Sequence, residues 1–466
     1  MIPNTPIDSI TLSAMLFYLA VLGALLAVGV FLRMKISLLK KFFIPASLLA
    51  GFIGLILGPD GAKLLTSEMV SSWGSLAGIL ITFVFAPMLI GIKMKDSKGA
   101  KKHFAPQLFY HYMGNMIQYF LPVFITITIL VPLFGVNELF ATLIEVGWSG
   151  GHGTAAGMGE VYSSFQWEEG GTLGLTSATI GLVVSFIGGI IIINYSVKKG
   201  YTSVLKNRNQ MKQKNEEDIS EEKREPGSYT TISGDVVDGF AFHAALLLIA
   251  VLLGWFMQKI LETFIPGLPL FPMAMIGGGI LNLVISKTSY YKLIDVRTFQ
   301  RIQGISLEFL IVGAVASIKI PVVVEYALPL FVMSVLMLLS MLWFFFYMGP
   351  RMFKEDWFEN SIVIFGTLTG VAAIGLMLLR TVDPEGKTGA MAAYGLKAPL
   401  FSPFLGGGLI TSIFPIMLIS YGPFWVGGIT LMIFLVLFFV AKSTGVYRKK
   451  KSPKKNDYSE GVSSTN

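Results

Sequence analysis

The chain has 466 residues, 53% hydrophobic and 14% charged, with a mean hydropathy of +0.68; its recurrent uncharged runs, long enough for a ~30 Å hydrocarbon core, exclude a soluble globular domain. The net charge of +8 does not point to nucleic acid, because the basic residues sit between the apolar runs and at the C-terminus, the pattern of membrane topology. The absence of cysteine excludes disulfides and thiolate metal sites and leaves the compartment open.

In chain order, eleven spans are predicted, at 14–32, 42–58, 73–92, 107–134, 172–197, 238–262, 268–286, 303–318, 327–348, 392–420 and 423–441. Two further segments, 138–165 and 359–382, are apolar but interrupted and read as re-entrant hairpins. Only Asp8 is charged before the first span, so no basic n-region of a cleavable signal precedes it and the segment is kept as a helix. With the N-terminus outside, the cytoplasmic loops would be 33–41, 93–106, 198–237, 287–302, 349–358 and 383–391, together with Arg380 and the tail from Lys442. These hold 32 of the 36 Lys and Arg. Lys63, Lys259 and Lys319 fall outside, and Lys397 falls within a span. That asymmetry predicts a cytoplasmic C-terminus.

The first hairpin contains 147–154, Gly-Trp-Ser-Gly-Gly-His-Gly-Thr, in which four of eight residues are glycine. Each glycine costs a helix about 1 kcal/mol relative to alanine, so a break is expected. Irregular backbone at membrane depth is tolerated only against protein or a water-filled cavity, and such broken segments hold substrate in secondary transporters. Ser149, His152 and Thr154 bring polar side chains there, and Gly150, Gly151 and Gly153 expose amides and carbonyls. Carbonyl and hydroxyl oxygens suit a small cation; amides at a half-helix N-terminus suit a carboxylate. The plainer reading is close helix packing through glycine, with His152 simply hydrogen-bonded. Glu145 and Glu160 flank the tip, either to neutralise a cation or to reach outside water. Asn115 and Gln118, about one turn apart, read as interhelical hydrogen-bonders.

Between the halves, 198–237 carries eight basic and seven acidic residues and reads as a cytoplasmic charged linker that cannot bury enough surface to fold. Beyond it, the second hairpin offers Thr367, Thr369 and Gly370, with an ion site and plain packing weighed equally. Lys397 is expensive inside a span and reads as a partner for a substrate carboxylate, for Glu308, or for the interface by snorkelling. Arg380 and Asp383 are expected to be structural. The basic tail after Val446 can attract anionic lipid or simply fix orientation.

The halves repeat weakly. Residues 44–57 align with 271–284, Gly91-Ile92-Lys93 with Ser317-Ile318-Lys319, and Gly153-Thr154-Ala155-Ala156 with Gly370-Val371-Ala372-Ala373. The fold expected is therefore an all-α polytopic membrane protein with two inverted five-span repeats, each with a re-entrant hairpin, plus one extra C-terminal transmembrane helix. The first repeat covers 1–197 with its hairpin at 138–165, then comes the 198–237 linker. The second repeat covers 238–420 with its hairpin at 359–382, followed by the extra helix at 421–441 and the basic cytoplasmic tail at 442–466. No enzyme signature is found: His152 has no partner at ligand spacing and no P-loop is present, so no catalytic residue, resident metal or cofactor is expected.

The string Ser149-Gly150-Gly151-His152-Gly153-Thr154, the Ile44-Pro45 start of the second span, the order of spans and the charged central loop resemble the bacterial sodium/glutamate symporter family. The resemblance covers about 14–420. It implies crossed re-entrant hairpins meeting near midmembrane, a homodimer in a bacterial inner membrane, and sodium-driven uptake of glutamate by a core that moves against a scaffold. The tip from Ser149 to Thr154 would form half of the site. The second hairpin keeps only part of the family's Gly-His pattern, and the last span is additional. The function expected is a sodium-coupled symporter for glutamate or a related small carboxylate. The alternatives are a proton-coupled carrier or exchanger of another organic anion, and a non-transporting sensor or scaffold whose only support is the linker.

Overall fold

The computed structural model describes residues 7–41, 44–91, 101–205 and 226–448. They are helical throughout, with no strand among the described residues. The first half contains α1 (Ser9–Lys35), α2 (Ser37–Lys41), α3 (Ala46–Leu57), α4 (Ser67–Phe85), α5 (Lys101–Ile125), α6 (Val131–Phe134), α7 (Gly151–Ser164) and α8 (Glu169–Lys198). The second contains α9 (Gly239–Leu261), α10 (Leu270–Ile285), α11 (Val296–Ala316), α12 (Ile320–Glu325), α13 (Ala327–Trp343), α14 (Gly349–Met352) and α15 (Trp357–Val382). Last come α16 (Ala390–Phe401), α17 (Leu409–Tyr421) and α18 (Pro423–Ser443).

Nine of the described helices have the length and composition to cross a membrane, α15 among them although its backbone leaves helical geometry at 370–371, and α3, α10 and α17 are shorter apolar helices. Helix starts follow local chemistry. Asp8 caps α1 through Thr11 N at 2.8 Å, Thr66 caps α4 through Met69 N at 3.2 Å, and Asp238 caps α9 through Phe240 N at 2.9 Å, each supplying an acceptor to an otherwise orphan amide.

The predicted span 392–420 is corrected. It is two helices, α16 and α17, separated at 402–408, where Gly406 and Gly407 take φ +64° and +100°. Gly406-Gly407-Gly408 breaks the helix for the same reason that the glycines at 147–154 do. The described ends of the 198–237 segment pack against helices: Ser203 N donates to Glu359 of α15 at 2.7 Å, and Tyr229 N donates to Asp295 at 2.9 Å. Most of its polar stretch, 206–225, and the basic tail from Lys449 lie outside the described residues.

The helices gather into two packed bodies. In the smaller, Leu22, Ala50, Trp73 and Val312 join α1, α3, α4 and α11, while Ala250, Ala274, Phe299 and Ile302 join α9, α10 and α11. The larger collects α5, α7, α8, α13, α15, α16, α17 and α18 around Tyr119, Phe140, Trp148, Phe358 and Phe414. Glycines set the close approaches in the smaller body. A Cβ on Gly51 of α3 would fall 2.6 Å from Val315 of α11, and one on Gly278 of α10 would fall 2.0 Å from Ala86 O, just after α4. The bodies meet where α7 lies against α4 and α11, with Gly153 and Gly157 admitting Ile81.

Candidate binding site at the hairpin tips

Residues 138–149 and α7 form two arms. Thr142 and Tyr162 are twenty residues apart in sequence, yet their hydroxyls lie 2.7 Å from each other. A straight helix would separate them by ~30 Å, so the chain reverses between them. The reversal falls at Gly151, with φ +74°, preceded by a wide helical turn over Glu145–Ser149. α15 reverses in the same way. Gly370 (φ −165°, ψ 40°) and Val371 (φ 70°, ψ 162°) leave helical geometry. A Cβ on Gly366 would then fall 2.6 Å from Gly375 Cα across the two arms.

The two tips touch. A Cβ on Gly151 would lie 2.3 Å from Val371 Cγ1. Two continuous helices hold the tips by answering the backbone groups that the breaks release. On α8, Ser177 Oγ donates to Leu143 O at 2.7 Å and Ser185 Oγ donates to Gly366 O at 3.0 Å. Between them Gly181 admits Trp148 and Thr369 O. On α5, Gln118 Nε2 donates to Leu368 O at 2.6 Å and Asn115 Nδ2 donates to Ser149 Oγ at 3.3 Å. Asn115 and Gln118 are thus interhelical hydrogen-bonders as expected, directed at the tips.

A third break completes the cluster. Gly406 N donates to Glu145 Oε1 at 3.1 Å, and Thr411 Oγ1 donates to the same oxygen at 2.8 Å. Thr411 also accepts from Gly407 N at 3.0 Å and lies 3.2 Å from Tyr119 OH. Gly407 rests against Gly150 and Thr154 of the first tip. Of the two readings offered for Glu145, burial decides for the inward one: it is 0% exposed. Glu160 instead lines a cavity between α4 and α7. The sequence reading missed the 402–411 segment altogether, although its three consecutive glycines carried the signal that marked the first tip.

The predicted residues divide. Ser149, Gly150, Gly151, Thr154, Thr369 and Gly370 come together at the tips. Thr154 Oγ1 donates to Gly150 O at 3.1 Å and Thr369 Oγ1 to Phe365 O at 2.7 Å, leaving lone pairs on both hydroxyls. Gly153 faces away, onto Ile81. His152 is buried, with Nε2 3.0 Å from Thr179 Oγ1 on α8. Because Thr179 donates to Leu175 O at 3.0 Å, its oxygen is left to accept from the imidazole. Thr367 bonds back to Val363 O at 2.7 Å and lies 3.1 Å from Tyr394 OH.

Lys397 is buried on α16, where its ammonium meets His111 Nδ1 of α5 and lies 4.1 Å above the Tyr394 ring. The His111 ring stacks on Phe401 at 3.5 Å. Glu308 is exposed on α11, so the Lys397–Glu308 pair considered from sequence does not form, and snorkelling is ruled out by the burial of Lys397. The lysine stands behind the second tip, connected to it through Tyr394 and Thr367.

A cavity of about 830 Å³ opens between the two bodies. Ser71, Gly74 and Ser75 of α4 face Ala155, Ala156 and Gly159 of α7 across it, and Asp60, Glu160, Glu168 and Lys319 are among its lining charges. It runs along α7 to Ala155, the residue after Thr154, and has ample volume for a small organic ion. No group of three His, Asp or Glu side chains suited to a resident metal occurs among the described residues.

In comparisons with known proteins, the family model described as sodium/glutamate symporter matches residues 10–373, well over half of the chain. The match ends within the second hairpin, before the 402–408 break and Lys397. No curated protein matches the chain.

Proposed function

Because the chain belongs to the sodium/glutamate symporter family, a family of multi-pass membrane transporters and not of enzymes, we propose that it imports glutamate or a related small carboxylate together with sodium. The observation that carries this reading is the contact of the two tips, Gly151 against Val371, with a cavity that runs along α7 as far as Ala155, the residue after Thr154. Sodium is bound by oxygens of Ser149 and Thr369 and by carbonyls of Gly150 and Gly370, while Thr367, turned to Val363 and Tyr394, stands outside this set. The substrate carboxylate is bound by the amides of Gly151, His152 and Gly153, which begin α7 and have no partner within it, at its positive end. Lys397 adds a positive charge behind the second tip. Each ligand orders the same tips, so binding of one favours the other.

Arms that reverse at 151 and 370–371 are re-entrant hairpins in this reading, and the two halves are inverted repeats. The equivalent close approaches of Gly51 and Gly278, 227 positions apart, support the repeat. The break points, Gly150-Gly151 and Gly370-Val371, correspond at an offset of 220, three residues from the alignment of Gly153 with Gly370. The charge asymmetry supports an outside N-terminus, a cytoplasmic C-terminus and a bacterial inner membrane, with a homodimer as the unit and lipid around it.

Glutamate uptake into proteoliposomes tests the reading. We expect accumulation under an inward sodium gradient, none with potassium in its place, and a loss of at least tenfold in His152→Ala, whose missing bond to Thr179 frees the first tip. Equal uptake in potassium would rule out sodium coupling.

A further inference from the structure

One face of α5 is polar from its start to the tips. His103, Gln107, His111, Asn115 and Gln118 are all buried, and their spacings of four, four, four and three residues place them in a single stripe, one helical turn per step. The stripe extends roughly 22 Å at 1.5 Å per residue. Gln107 Oε1, His111 Nε2, Asn115 Oδ1 and Gln118 Oε1 find no hydrogen-bond partner among the described residues, and the same holds for Glu145 Oε2 beside Asn115. Buried polar atoms are rarely left unanswered. Four of them in file, each about a turn from the next, with Glu145 Oε2 alongside the third, match the demand of a row of water molecules, each needing two to four polar partners.

The two ends of the row differ. At the basic-loop end, His103 Nε2 lies 3.8 Å from Asp356, near the Lys102–Glu355 pair, and Asn360 connects His103 Nδ1 (3.4 Å) to Gln107 Nε2 (2.7 Å). Midway, His111 is faced from α16 by Lys397, Tyr394 and Phe401, with no carboxylate among them. At the far end stands Glu145, faced by Asn115 and Tyr119 of α5 and by Gly406 N and Thr411, with the Tyr162 hydroxyl tied to Thr142 nearby. No cation is among these partners. A carboxylate enclosed by neutral groups needs a cation of its own, and a proton is the one that a row of waters delivers.

We propose that the α5 stripe is a water-filled proton path between Glu145 and the basic-loop face, and that Glu145 is a proton-binding site distinct from the sodium and substrate groups at the tips. Arrival of the proton forms an O–H bond at Glu145 Oε2 as an O–H bond of the adjoining protonated water breaks, and departure reverses both; nothing is oxidised or reduced. Taken with the transport reading, on which this part rests, a proton then accompanies the anion.

Infrared difference spectra of the full chain in liposomes, recorded as pH is lowered in H2O and D2O, test the path without requiring transport. A protonated-carboxyl band that is absent in Glu145→Gln is expected. Its hydrogen–deuterium exchange should slow at least tenfold in Gln107→Leu and in His111→Phe, two variants that keep Glu145 and so decide the matter even if Glu145→Gln fails to fold. A band unaltered by Glu145→Gln, or exchange unchanged in both path variants, would overturn the proposal. In the same liposomes with a lumenal pH dye, sodium-driven glutamate uptake should acidify the lumen. Uptake without acidification would overturn proton transfer and leave sodium symport standing. If no glutamate enters, the transport reading fails, and the band and its exchange still decide the path.

Discussion

Val371 takes φ 70° and ψ 162°, a region that a β-branched residue occupies only when its surroundings impose it, at a cost of order 1–3 kcal/mol. Val371 faces the opposite tip, where Gly151, with φ +74°, has no room for a Cβ against Val371 Cγ1. Gly151→Ala should therefore abolish uptake, by collision and by a further left-handed penalty of roughly 1–2 kcal/mol. Val371→Gly alone relieves its own strain and should leave a folded protein. The double variant removes the collision and keeps only the left-handed penalty, so it should recover part of the lost uptake. A double variant no better than Gly151→Ala would mean that the tips do not constrain each other. Proteoliposome uptake normalised to folded protein by size exclusion reads all three.

Among the elements, α11 presents a case outside the membrane. Asp295 caps it, accepting from Arg297 N at 3.3 Å and Thr298 N at 3.2 Å, while also holding Tyr229 N of the linker at 2.9 Å. Burial pushes its carboxyl upward, but the donated bonds from Tyr229, Thr298 and Arg297 outweigh this and leave it below the usual carboxylate range. Since the folded value is the lower one, the stabilisation is complete above the unfolded value of about 3.9 and is lost as pH falls through the folded value. Asp295→Ala should cost about 1 kcal/mol through the cap and release 226–231 to limited proteolysis at neutral pH. In the unaltered chain the same cleavage should appear only in strong acid. Cleavage indifferent to both would show that the linker end is held by other contacts. At this scale the helices were legible, because apolar length and capping residues are local properties. The 402–408 break was equally local, and was obscured only because apolar residues flank its glycines as they would flank a continuous span.

For the molecule as a whole, the division into two bodies makes the α4–α7 seam the place where relative movement is tested. Ser71 of α4 and Ser163 of α7 line opposite sides of the 830 Å³ cavity, and the chain has no cysteine of its own. Ser71→Cys/Ser163→Cys can therefore be bridged selectively by a short bifunctional thiol reagent. Bridging should reduce sodium-driven uptake at least tenfold, with recovery on cleavage of the bridge, whereas each single variant should transport normally. Full uptake in the bridged protein would mean that the two bodies need not move.

Composition and the spacing of apolar runs determined that this chain is a helical membrane protein, and the string from Ser149 to Thr154 located its first interrupted segment, because these follow from the helix rise and from the cost of glycine. Its other polar candidates were named without their roles. Asn115 and Gln118 answer tip carbonyls and hydroxyls, Glu145 is sealed under Gly406 and Thr411, and Lys397 meets His111 and not Glu308. Those pairings join residues as much as 286 positions apart, and no periodicity within one helix encodes which face another helix will bring against it. Only the packing of the two tips and the third break between α5 and α8 decided them.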